Sequence, residues 1–103
     1  MKIAKLETFT NQYVGFVRVT ADTGDTGWGQ VSTYHSDITC QVFHRQVAPY
    51  ALGQNAADFD DLLDRITERE HKFPGSYLRR AMAGLDTALW LSLIHISEPH
   101  ETS

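Results

Sequence analysis

"VRVTADTGDTGWGQ", Val17–Gln30, decides the fold. In an extended chain Val17, Val19 and Ala21 point one way, while Phe16, Arg18 and Thr20 point the other. The run is rich in β-branched and aromatic residues, which suit a half-buried strand. Asp22-Thr23-Gly24-Asp25 supplies turn chemistry, with Gly24 able to take positive φ. "TGWGQVS", residues 26–32, then returns, and two strands about a short Gly-containing turn make a hairpin. Upstream, "KIAKLETF", residues 2–9, reads as a short opening strand, and the second strand spans 13–21 with Tyr13 and Val14 at its start.

Downstream the period changes from two to that of a helix. "HSDITCQVFHRQVAPYALG" starts at a Ser36/Asp37 cap and stops near Pro49 and Gly53, with Ile38, Val42, Phe43 and Val47 as its apolar stripe. In "DFDDLLDRITEREHK", Phe59, Leu62, Leu63 and Ile66 fall at i, i+3, i+4 and i+7. Acids Asp58, Asp60 and Asp61 open that helix and bases Arg69, His71 and Lys72 close it, which matches the helix dipole. "KFPGS" breaks the chain, and Ser76 caps a third helix whose face is Leu78, Ala81, Met82, Leu85 and Leu89. Gly84 in that helix is read as a close-packing position. The expected helices are 37–48, 58–71 and 76–91. Strands followed by helices give an α+β fold: a three-stranded antiparallel β-meander followed by a three-helix bundle.

The chain has 103 residues, enough for one domain with a modest core. A formal charge of −4 argues against a nucleic-acid or anionic-membrane binder, both of which need a basic face. The one cysteine, Cys40, has no internal disulfide partner and fits a reducing compartment. The N-terminus lacks an apolar run of signal-peptide length, and no segment is apolar enough to span a bilayer. These readings set a cytoplasmic location as the expectation, with no nucleic-acid and no membrane partner.

Few residues suggest chemistry directly. Gly24, Gly27 and Gly29 are spaced GxxGxG and lie between two strands, so the phosphate-cradling strand-to-helix geometry is missing. They are read as leaving room for the bulky Trp28. His35, Asp37 and His44 lack a further ligand, and no metal site is expected within this chain. Cys40 and His44 stand at i, i+4, yet no orienting group or oxyanion site accompanies them, so Cys40 is read as an inert core thiol. Arg79 and Arg80 are read as solvated or paired. Two polar loops remain, Thr10–Gly15 with Tyr13, and Ser32–Ser36 with Tyr34 and His35. Loops between rigid elements are where binding residues concentrate.

In order and distance, "MKIAKLETF", "VRVTADTGDTGWGQ" and "YLRRAMAGLDTALW" resemble the N-terminal capping domain of the enolase superfamily, nearest its mandelate racemase/muconate lactonizing enzyme type. The resemblance covers residues 1–90. It departs at Gln30, where the family commonly has Glu, and at Leu91, where "ALW" is usually followed by Asp and a linker into a (β/α)₈ barrel. The resemblance implies a full-length parent that abstracts the proton α to a carboxylate with a barrel-borne base, using Mg²⁺ held by barrel carboxylates. Neither catalytic residues nor metal ligands would then lie in this chain, which alone would not be an enzyme. It would cap the active site, and its two loops would shape specificity, with Tyr13, Tyr34 and His35 as candidate contacts to a small carboxylate or sugar-acid substrate. The short polar first loop favours a sugar-acid dehydratase, ahead of a racemase or cycloisomerase. The resemblance also implies a homo-oligomeric parent. The alternative is a freestanding α+β binding module; a capping domain should expose an apolar patch and a native module should not.

Residues 91–103, "LSLIHISEPHETS", fit the family poorly. "LSLIHISEP" back-translates as CTG TCT CTT ATA CAC ATC TCC GAG CCC, which resembles a transposon-end adaptor of sequencing libraries. One extra C shifts the continuation into Pro-His-Glu-Thr. The expectation is a non-native tail joined at Trp90, with the barrel domain absent; the alternative is a genuine helix extension stopped at Pro99.

Overall fold

A computed structural model describes residues 1–94. Its strands are β1 (Ile3–Thr10), β2 (Gly15–Ala21) and β3 (Thr26–Gln30), in sheet order β1-β2-β3 and antiparallel throughout. The register pairs Phe9 with Phe16, Glu7 with Arg18, and Arg18 with Trp28. Gly24 closes the β2–β3 turn at φ 93. A bulge between Ile3 and Lys5 shifts the register at the start of β1. The α+β meander expected from the sequence is the fold observed.

The two sheet faces differ as the alternation requires. Val17, Val19 and Ala21 are buried against helices. Phe9, Phe16, Arg18 and Trp28 share the outer face, where the Arg18 guanidinium lies 5.1 Å from the Phe9 ring centre and 5.3 Å from that of Trp28. Both Nε and Nη2 of Arg18 donate to Glu7 Oε1, at 2.9 and 2.7 Å.

Gly27 and Gly29 do not make room for Trp28, which points to the opposite face. They make room for a helix. A Cβ on Gly29 would fall on the Gly84 carbonyl oxygen and lie 2.8 Å from Ala88 N; one on Gly27 would lie 2.6 Å from Leu93 N. β3 therefore packs directly against helix backbone. Gly84 repeats the device from the helix side, leaving space for the Val31 side chain.

The helices depart from expectation at their ends. The first begins as α1 (Ser36–Val42), widens into a π-helical turn (Phe43–Val47) and resumes as α2 (Ala48–Ala51). It thus runs past Pro49. Proline lacks an N–H and its ring crowds the carbonyl four residues back; the wider turn, with Ala48 N–H donating to Phe43 O, takes up that conflict. No side-chain cap from Ser36 or Asp37 forms. His35 occupies the cap position, Ser36 Oγ donates to Ser32 O, and Asp37 Oδ1 accepts from Ile38 N. Asn55 caps a 3-10 turn (Ala56–Asp58) leading into α3 (Phe59–Arg69). Gly75, rather than Ser76, caps α4 (Ser76–Thr87), which continues as a π-helical segment through Ala88–Ile94. Leu93 is fully buried, extending the face of Leu85 and Leu89 by a further turn. The segment expected to be a tail is helical through Ile94; its remainder, residues 95–103, lies outside the described residues.

Candidate functional site

The two polar loops leave the same end of the sheet. In the first, Asn11 Oδ1 accepts from the backbone N–H of Tyr13 at 2.8 Å and of Val14 at 2.9 Å. Thr10 Oγ1 donates to Val14 O at 2.9 Å. The turn is thus closed by its own side chains, and Tyr13 stands 68% exposed at its tip. The second loop begins beside it, for Val31 N–H donates to Gly15 O at 2.9 Å. Gly15 permits the approach: a Cβ there would lie 2.7 Å from a Val31 methyl and 3.1 Å from both Ser36 Cβ and Thr10 Oγ1.

Tyr34 is 60% exposed, and His35 beside it is exposed too. Their rings meet edge to face, 4.1 Å between centres. His35 has φ 50 and ψ 54, the only left-handed backbone among non-glycine described residues. That conformation costs an ordinary residue about 1–2 kcal/mol. The strain sits at the turn from loop into α1, where Thr39 N–H donates to His35 O.

One residue of this region was not expected from the sequence. The Arg80 guanidinium, on α4, lies 5.3 Å from the Tyr34 ring centre and 5.6 Å from that of Tyr77. Each such contact contributes about 0.5–1 kcal/mol where water has access. No carboxylate of the described residues forms an ion pair with Arg80. Tyr77 at i−3 was a legible signal. Tyr34, distant in sequence, was not. Arg79, its neighbour, is exposed.

The other sequence candidates are not brought together. His44 Nε2 lies 2.8 Å from Thr8 Oγ1, beneath β1, while His35 stacks on Tyr34. Cys40 is buried, and burial pushes its thiol pKa up, away from nucleophilic use. Among the described residues no three of His, Cys, Asp and Glu converge as a metal site would require. Nor does any described helix have the length and apolarity to cross a membrane. Elsewhere, the Tyr50 hydroxyl and Gln46 amide donate to Glu70, which lowers the Glu70 carboxyl pKa. Tyr34, His35 and Arg80 thus gather hydroxyl, imidazole and guanidinium groups on an open surface, with Tyr13 at the tip of the adjoining loop.

Residues 1–92 match the family described as mandelate racemase/muconate lactonizing enzyme, N-terminal domain. A solved structure of a candidate racemase from Roseobacter denitrificans is 73% identical, with TM-score 0.85; the match covers 87% of this chain and 25% of that one. A mandelate racemase/muconate lactonizing protein from Paracoccus denitrificans PD1222, complexed with magnesium, is 38% identical over 86% of this chain and 26% of its own, with TM-score 0.79. Among curated proteins, D-galactonate dehydratase of Xanthomonas euvesicatoria is 30% identical over 92 residues, 87% of this chain and 24% of the relative. The chain therefore spans about a quarter of the length of these relatives.

Proposed function

The chain belongs to the mandelate racemase/muconate lactonizing enzyme family, as its N-terminal domain, and from that premise we propose that it caps the active site of a Mg²⁺-dependent sugar-acid dehydratase or racemase. In that reading the piece is not catalytic alone. The full-length protein removes the proton α to a carboxylate, using a base outside these residues. Mg²⁺ would stabilise the negative charge that develops on the carboxylate. Since the described residues offer no cluster of three potential ligands, the ion would be held outside them. A dehydratase is preferred because the loops present hydroxyl and imidazole groups, and because D-galactonate dehydratases are among the relatives. A cytoplasmic, homo-oligomeric parent working in carbohydrate-acid breakdown completes the reading, with residues 91–103 as a non-native tail.

The observation that carries the proposal is the convergence of the two loops at Gly15. It sets Tyr13 and the Tyr34–His35 pair at one end of the sheet. The exposed Phe9, Phe16 and Trp28 share one sheet face, apolar surface of the kind a neighbouring domain would cover, which favours this reading over a freestanding module.

The test uses the uninterrupted gene, recovered by reading genomic DNA across the Trp90 codon. Tyr34→Phe and His35→Asn should each lower kcat/KM on the true acid substrate by roughly threefold to a hundredfold, the range for losing a neutral or a charge-assisted hydrogen bond. Melting temperature should barely move, because exposed loop side chains carry little core packing. Full activity in both variants would remove these residues from the site.

A further inference from the structure

We propose that Arg80 is the positioning residue of the specificity loop: its guanidinium, held between Tyr77 and Tyr34, fixes Tyr34, and Tyr34 in turn fixes the His35 imidazole. The backbone of this loop is tied at its ends, by Val31 N–H to Gly15 O and by Ser36 Oγ to Ser32 O. Those bonds do not orient the two exposed side chains. The ring contacts do. α4, which carries Arg80, is anchored about one turn further on, where β3 packs onto the Gly84 backbone through Gly29. Its charge faces two ring faces 5.3 and 5.6 Å away, with no described carboxylate competing for it. Tyr34 then meets His35 edge-on at 4.1 Å, across a left-handed residue that surrounding structure must hold in place.

The consequence is a side-chain pair oriented before any ligand arrives, which lowers the ordering cost of binding. Guanidinium is the group suited to this, since it is planar, stacks on rings and keeps its charge at all working pH values. The functional meaning rests on the reading above, that this loop faces substrate. The positioning itself does not, and it can be measured on the 103-residue chain.

The experiment is NMR relaxation and ring-current shifts on that chain and on Arg80→Met and Arg80→Lys. The wild type should show restricted ring motion of Tyr34 and His35, and a His35 ring resonance displaced by the Tyr34 ring. Arg80→Met, which keeps the apolar stem, should free both rings to reorient and abolish the displacement, with amide shifts across β1–β3 unchanged. Arg80→Lys, which keeps charge without the planar stack, should fall between. Should Arg80→Met fail to fold, Arg80→Lys carries the test alone, with an intermediate loss expected. A loop already mobile in the wild type, or equally ordered in the variants, overturns the proposal. In the full-length enzyme, Arg80→Met and Tyr34→Leu should each reduce kcat/KM, and the double variant should be little worse than either, as expected for residues acting in series. Loss of loop order in the chain alongside full activity of Tyr34→Phe and His35→Asn in the parent would leave the clamp standing and remove the substrate reading.

Discussion

A methyl group added at Gly29 would land on the Gly84 carbonyl oxygen, and backbone cannot rotate away as a side chain can. Gly29→Ala should therefore destabilise by about 1–3 kcal/mol or more, as overpacking does. Thr26→Ala, at an exposed position of the same strand, should stay within about 0.5 kcal/mol of wild type. Urea unfolding of the two variants checks the pair; equal midpoints would show that β3 does not rest on α4. The sequence signalled that these glycines serve packing, and misassigned what they pack against. Alternation puts Gly27 and Gly29 opposite Trp28, but nothing local says which face a distant helix will cover. Charge at single residues adds two opposed pH effects. Burial, and then the nearby Asp60 charge, raise the Asp86 carboxyl pKa above 3.8. The folded state thus holds that proton more tightly than the unfolded chain, so this group's contribution falls as pH rises through the gap and stays low above it. Asp86→Asn should raise the melting temperature at pH 7, and its advantage should vanish as pH falls below the ordinary carboxylate value. Glu7 has the opposite sign. Its hydrogen bonds from Arg18 lower its pKa, so its contribution is present above the ordinary value of 4.5 and is lost as pH falls through the lowered one. Melting curves of wild type and Asp86→Asn between pH 3 and 8 separate the two; a pH-independent difference would remove Asp86 as a source.

At the scale of elements, periodicity fixed identity and failed at ends. Alternation across Val17–Ala21 and the i, i+3, i+4, i+7 stripe of Phe59–Ile66 both report burial on one side, and both elements form where the pattern lies. Ends depend instead on capping and strain, which involve partners the local pattern omits. Ser36 spends its hydroxyl on Ser32 O, so His35 enters α1 left-handed. Pro49 was read as a stop, and a π-helical turn carries the helix through it. Candidate loops were legible for the same reason as the strands, being polar intervals between periodic segments. Arg80 was hidden because its meaning depends on a ring contact across the fold. The last element is the most exposed to test. Leu93 continues the stripe of Leu85 and Leu89 and is fully buried beneath β3. Leu93→Ala should cost about 2–5 kcal/mol, the range for truncating a core leucine. A cost below about 1 kcal/mol in denaturant titration would mean that the helix does not pack beyond Trp90 in solution.

For the whole molecule the informative quantity is what magnesium does to stability. A ligand that binds only the folded state raises stability by RT ln(1 + [L]/Kd), about 2.7 kcal/mol at a hundred times Kd. A protein holding Mg²⁺ through its own carboxylates must therefore melt higher as Mg²⁺ is added. Among the described residues the acids do not gather three to a site. Glu7 is taken by Arg18, Asp61 by Arg65, and Glu70 by Tyr50 and Gln46, and no three potential ligands among the described residues converge. A net charge of −4 would still attract a divalent cation loosely, which is a screening effect and not a site. The control is thus NaCl at matched ionic strength. Millimolar Mg²⁺ should shift the melting temperature of the 103-residue chain no more than that control does. On the proposed reading, the parent protein under the same conditions should gain several degrees, and should lose the gain on chelation. A Mg²⁺-specific rise in the isolated chain would place metal ligands inside it and would overturn the division of labour proposed here, in which this domain shapes the substrate's surroundings and the ion is held elsewhere. A null result in the chain with a clear rise in the parent would assign the metal to the remaining polypeptide, leaving Tyr13, Tyr34, His35 and Arg80 to act by contact and orientation alone.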